Sequence, residues 1–159
     1  MSNNLPFVSD RFAGYGQPRA FACVLRETDG PELLVFDHPQ AGTQIPKGRI
    51  EPGESAETAA IRELAEESGL VMEPSRFIGH LREQFQHPES GETVNEDWHI
   101  WVFDALPDLP ETWTHLDEEE GLEFAYRWVP LDATTSEKVH PYFAAVVDMI
   151  RQASESSIS

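Results

Sequence analysis

The stretch GRIEPGESAETAAIRELAEESGL, residues 48–70, decides how the rest of the chain is read. Its second half predicts a helix over 55–68. Ser55 suits the position before the first turn, where its hydroxyl can accept from an amide that has no partner within the helix. Gly69 suits the stop, where the backbone must pass through a left-handed conformation. At about 100° per residue, Glu63, Glu66 and Glu67 fall within a sector of roughly 100°, while Ala60, Ile61 and Leu64 cluster about 130° away. The helix therefore offers an apolar face to a core and a separate face of carboxylates.

Carboxylates at i, i+3 and i+4 repel one another, so the arrangement costs stability unless positive charge sits among them. Arg62 flanks the sector and can neutralise one of them. Hard divalent cations suit the rest, because Mg²⁺ prefers oxygen ligands and bridges to substrate phosphate. A glutamate left off the metal would polarise a water. The loop ahead of the helix adds to this. Pro46-Lys47-Gly48 and Pro52-Gly53-Glu54 are rigid segments that permit close approach, and Gly48 has no side chain to block its carbonyl. Lys47 and Arg49 are two of only 11 basic residues in the chain, and their place beside an acidic helix points to phosphate contact.

These residues resemble the Nudix box, G-x5-E-x7-R-E-U-x-E-E-x-G-U with U aliphatic. Gly48, Glu54, Arg62, Glu63, Leu64, Glu66, Glu67, Gly69 and Leu70 fill every defined position. With each fixed residue at about 6% usage, a chance match is on the order of 10⁻⁹ per starting position. The resemblance implies an α/β/α sandwich around a mixed β-sheet. It implies a pyrophosphohydrolase that cleaves a phosphoanhydride bond in a nucleoside diphosphate linked to another group. Glu66 and Glu67 would be ligands of Mg²⁺ or Mn²⁺, Glu63 a ligand or the general base, and Gly48 would offer its carbonyl. Arg62 would orient Glu63 through an ion pair, and Glu54 would support the same network. In the family a later loop glutamate sometimes acts as the base or completes the metal shell. Glu118, Glu119 and Glu120 are the candidates here, with Glu119 or Glu120 favoured among them, although the run 117–120 by itself reads first as a plain solvated loop. Phe85 and His87 lie at a strand end where the family often binds substrate.

Outward from this segment, apolar runs and turn residues predict strands over 19–26 and 32–37, joined as a hairpin by Thr28-Asp29-Gly30-Pro31. Residues 38–48 read as a loop. Further strands are expected over 77–86, 98–106 and 124–131, and a terminal helix over 141–153 with Phe143, Val146, Val147 and Ile150 facing inward. Residues 1–18 read as a flexible arm, 19–153 as one domain, and 154–159 as a disordered tail. The histidines have no metal-ligand spacing, and each reads as structural or exposed. Trp98, Trp101, Trp113 and Trp128 read as core, and Cys23, inside an apolar strand, as inert core.

The length of 159 residues fits one domain with a real core. A net charge of -18 repels nucleic-acid polymers and anionic membranes, while a small phosphorylated substrate remains compatible if cations mask the local charge. No signal peptide or membrane span is expected. With Cys23 the only cysteine, no intramolecular disulfide can form, and a cytoplasmic location is expected. A homodimer is compatible with the reading. The substrate is expected to be small and nucleotide-like, with a nucleoside triphosphate or dinucleoside polyphosphate favoured over ADP-ribose. The alternative is a non-catalytic Nudix-like binding or regulatory module, but such modules typically lose box glutamates and this chain keeps them all.

Overall fold

Gln17–Glu27 (β1) and Pro31–His38 (β2) are buried at successive positions and do not alternate. Strands covered on both faces need apolar side chains on both. In a computed structural model of the chain, which describes residues 16–158, these two strands form the middle of a mixed sheet. The remaining strands are Gly42–Gln44 (β3), Lys47–Arg49 (β4), Arg76–Gln86 (β5), Thr93–Asp104 (β6), Trp113–Asp117 (β7) and Leu122–Pro130 (β8). The order is β5-β6-β1-β2-β8-β7, with β3 paired to β2 and β4 to β1. β1 and β6 run parallel, and every other pairing is antiparallel.

One helix covers each face. Ala56–Ser68 (α1) packs Ala59, Ala60 and Leu64 on Ala20, Ala22, Val24, Leu34, Phe36 and Tyr126. Ala144–Ile158 (α2) packs Val146, Val147 and Ile150 on Phe21, Cys23, Leu33, Val35 and Ile100. This is the expected α/β/α sandwich. The ends of α1 are as read: Ser55 accepts from the Thr58 amide at 3.1 Å, and Gly69 has φ of 84° and donates to the Ala65 carbonyl. Left-handed backbone of this kind is cheap only for glycine. Cys23 is fully buried, and burial pushes its thiol well above the ordinary range.

Several expectations need correction. Residues 38–48 are not all loop, because β3 and β4 each add three residues to the sheet. Runs that short carry no readable alternation. β7 was not expected either, as its Trp-Thr-His-Leu-Asp alternates weakly. β6 begins at Thr93, where the mostly polar residues 93–97 pair with β5. The terminal helix begins with a 3-10 turn at Pro141–Phe143 and runs on to Ile158, through most of the expected tail. Of the expected arm, residues 1–15 lie outside the described residues, and Gln17 and Pro18 belong to β1. Among the described residues no helix is long and apolar enough to cross a membrane.

Candidate active site

β4 pairs with the start of β1, placing Gly48 opposite Ala20 beneath α1. Glu63 is buried there, 9% exposed, with its carboxylate against the Gly48 backbone. A Cβ at position 48 would lie 1.9 Å from Glu63 Cδ, so only glycine permits this packing. The sequence reading placed Glu63 on a separate face of carboxylates; of the three glutamates on it, Glu63 is buried, Glu67 half-buried and Glu66 exposed.

Arg62 ties the loop to the helix. Its Nε and one terminal nitrogen donate to both Glu54 oxygens at 2.8 and 2.9 Å. The other terminal nitrogen donates to Glu63 at 2.8 Å and to Glu66 at 3.2 Å. A further bond reaches the Arg49 carbonyl at 2.9 Å. The arginine lowers the Glu54 pKa, chiefly by hydrogen bonding. Glu63 goes the other way: burial raises it, against the opposing pull of Arg62. Glu67 is raised well above the carboxylate range, first by burial and then by the charge of Glu63. Buried neighbouring carboxylates resist joint ionisation unless a cation joins them.

These groups open into a cavity of about 380 Å³ whose wall includes Lys47, Gly48, Arg49, Arg62, Glu63, Glu67, Glu119 and Glu120. A larger concavity of about 780 Å³ lies at the opposite end of β1, around Arg26, Asp104 and Leu106. The smaller one is where the perturbed carboxylates converge, and such convergence marks functional sites better than size does. Glu119 and Glu120 reach the cavity, whereas Glu118 lines a separate cleft beside α1. Glu120 also meets His38 Nε2 at 2.9 Å, a pairing that no sequence spacing announces.

Among the described residues no three or more His, Cys, Asp or Glu side chains are already gathered as a metal cage. The donor set nevertheless fits a hard divalent cation. Glu63 and Glu67 offer carboxylate oxygens with raised pKa values, in an open cavity, and Mg²⁺ sites typically take few protein carboxylates plus water and phosphate. Phe85 is not on the wall of this cavity. It stands edge-on to Tyr142 at 5.4 Å, and the Tyr142 ring lies 5.1 Å from Lys47 Nζ. Trp98 is core, as expected, but its indole N–H donates to the buried Glu96. His80 and His99 are cross-strand partners with ring centroids 4.5 Å apart.

Comparisons with known proteins agree with this fold. The chain is 36% identical over 53 residues to the putative 8-oxo-dGTP diphosphatase YtkD of Bacillus subtilis (strain 168), a match covering 33% of this chain and 34% of the relative. The chain thus spans about a third of the length of that curated relative. A C. elegans Ap4A hydrolase crystal structure superposes with a TM-score of 0.55 at 21% identity, covering 88% of this chain and 97% of the other. The MutT protein of Methanosarcina mazei Go1 gives 0.56 at 22%, covering 86% and 94%. The family model described as NUDIX domain matches residues 16–148, from the first described residue well into α2. A match that takes in nearly the whole sandwich, and not the box alone, makes this chain a member of the NUDIX domain family.

Proposed function

We propose that this NUDIX-family chain is a divalent-metal-dependent pyrophosphohydrolase acting on a small nucleotide with a polyphosphate chain. The observation that carries the reading is the buried Glu63 carboxylate, seated on Gly48, clamped by Arg62 and facing a cavity that also holds Lys47, Arg49 and Glu67. Glu66, Glu67 and the Gly48 carbonyl would hold Mg²⁺ or Mn²⁺, with Glu120, and Glu63 if it is not the base, completing the set. When bound, the cation neutralises phosphate charge and acidifies a water.

The remaining roles belong to the chain's own side chains. Glu63 takes a proton from the attacking water as its oxygen bonds to phosphorus and the anhydride P–O bond breaks. Burial raises its proton affinity, which suits a general base. Arg62 holds that carboxylate in place, and Glu54 holds Arg62. Lys47 and Arg49 bind phosphate oxygens, and Phe85 supports substrate binding through Tyr142. A nucleoside triphosphate or dinucleoside polyphosphate is favoured over ADP-ribose, in keeping with the names of the Bacillus subtilis putative 8-oxo-dGTP diphosphatase and the C. elegans Ap4A hydrolase.

The test is a panel of nucleoside triphosphates, dinucleoside polyphosphates, ADP-ribose and coenzyme A with Mg²⁺ or Mn²⁺, with products identified by mass. Release of a phosphate-containing fragment from one class is expected. Tight binding without release from any of them would favour the non-catalytic module.

A further inference from the structure

In a chain with 11 basic and 29 acidic residues, Arg19 and Arg49 stand directly opposite each other on β1 and β4. Paired residues of an antiparallel ladder point to one face, and like charges there destabilise the pairing. Phe21 and Lys47 form the next pair on that face, so Lys47 continues the row. All three bases line the cavity beside Glu63, while Gly48, between Lys47 and Arg49, turns to the other face. Repulsion between neighbouring cations is relieved by an anion lying between them.

Arg19 is also held in place. Its guanidinium lies 3.2 Å from Glu96 Oε2, with the two side chains 13% and 6% exposed. Its other contacts are Gln17 Oε1 at 2.8 Å and the Pro18 carbonyl at 3.2 Å, which do not exhaust the donors of a guanidinium. Glu96 meanwhile accepts from Trp98 Nε1 at 2.8 Å and from the Tyr142 hydroxyl at 2.5 Å. One buried carboxylate thus orients both a cation on the cavity wall and the aromatic ring stacked near Lys47. If Glu96 served only to neutralise Arg19, it would not account for a second arginine placed opposite.

We infer that Arg19 is a specificity-determining phosphate contact and that Glu96 is the positioning residue for both Arg19 and Tyr142. The inference rests on the reading of this cavity as a nucleotide polyphosphate site. The row Arg19, Arg49 and Lys47 receives phosphates beyond the one attacked beside Glu63, so the site selects a chain of several phosphates over a monophosphate.

The experiment measures binding of a methylene-bridged ATP analogue and of AMP, in Mg²⁺, by calorimetry on the full chain. Arg19→Ala is expected to weaken the analogue about tenfold, a loss typical of one charge-assisted contact, and AMP less than twofold. Arg19→Lys recovers part of the loss. Glu96→Gln weakens the analogue as well and raises KM more than it lowers kcat on whichever panel nucleotide is turned over. Thermal melts check folding, and if Arg19→Ala unfolds, Arg19→Lys and Arg19→Gln carry the comparison. Analogue binding unchanged in the Arg19 variants, equal losses for analogue and AMP, or no analogue binding by the native chain would each overturn the inference. Arg19-dependent analogue binding with no turnover of any panel nucleotide would overturn the hydrolase reading and leave this one standing.

Discussion

Gly48 and Glu63 are in contact so close that a β-carbon on residue 48 would fall 1.9 Å from Glu63 Cδ and 2.2 Å from its Oε2. Glu63 cannot retreat easily, because Arg62 and the packed face of α1 hold it. Gly48→Ala should therefore displace the carboxylate. Overpacking of this kind typically costs about 1–3 kcal/mol, so the melting temperature should drop. Turnover should fall by more than the lost stability explains, and a melt combined with kcat on the folded fraction separates the two. Near-native kcat in Gly48→Ala would mean that the seat of Glu63 is irrelevant to the chemistry.

Glu63→Gln should lower kcat by about 10²–10⁴-fold and resist rescue by added Mg²⁺, as expected when a general base is lost while its neighbours still bind metal. Glu119→Gln and Glu120→Gln should be milder, even though both residues reach the cavity. Loss of a metal ligand would instead be partly rescued by more Mg²⁺. A severe, unrescued loss in either loop variant beside a nearly normal Glu63→Gln would move the base to the turn after β7.

Metal removal has a stability signature as well. Burial raises the pKa of both Glu63 and Glu67 in the metal-free protein, and the charge of Glu63 raises Glu67 further, so a cation that joins them should stabilise the fold. At 100 times its Kd, a ligand that binds only the native state adds about 2.7 kcal/mol. Melts in EDTA and in Mg²⁺ should differ accordingly, and hydrolysis should vanish in EDTA and return with Mg²⁺ or Mn²⁺. Glu67→Gln should raise the metal-free melting temperature and erase most of the Mg²⁺ response. Full activity after complete chelation contradicts the proposed chemistry.

His80 and His99 give a pH dependence that is independent of the cavity. Burial lowers both to about 4, and His80 adds to the lowering at His99. The unfolded chain, with histidine near 6.5, binds more protons between those values. Stability contributed by the neutral rings is fully present above about 6.5 and is lost as pH falls towards 4. The double variant His80→Asn/His99→Asn should show a shallower fall in melting temperature across this window than the native chain. Parallel curves for the two proteins would rule out the histidine pair as the source.

Local features of the chain were legible without coordinates. The limits of α1 follow from Ser55 and Gly69, because capping is decided within a turn of the residue concerned. The apolar runs of β1 and β2 announced a buried strand and its hairpin partner, and the box residues announced the family. Three-residue strands such as β3 and β4 escaped, since their pairing is supplied by β1 and β2 and not by their own pattern.

What tertiary structure alone decided is which distant residues meet. Glu63, placed by helical spacing on the carboxylate face, is buried because β4 passes beneath it and offers a residue with no side chain. Glu120 reaches His38 across 82 residues of chain, Arg19 faces Arg49 through a ladder, and Glu96 gathers Arg19, Trp98 and Tyr142 from β1, β6 and the turn before α2. Periodicity reports which side of its own element a residue occupies. It carries no information about the element on the other side, and that neighbour sets the desolvation, the partners and the charge that make these side chains a site.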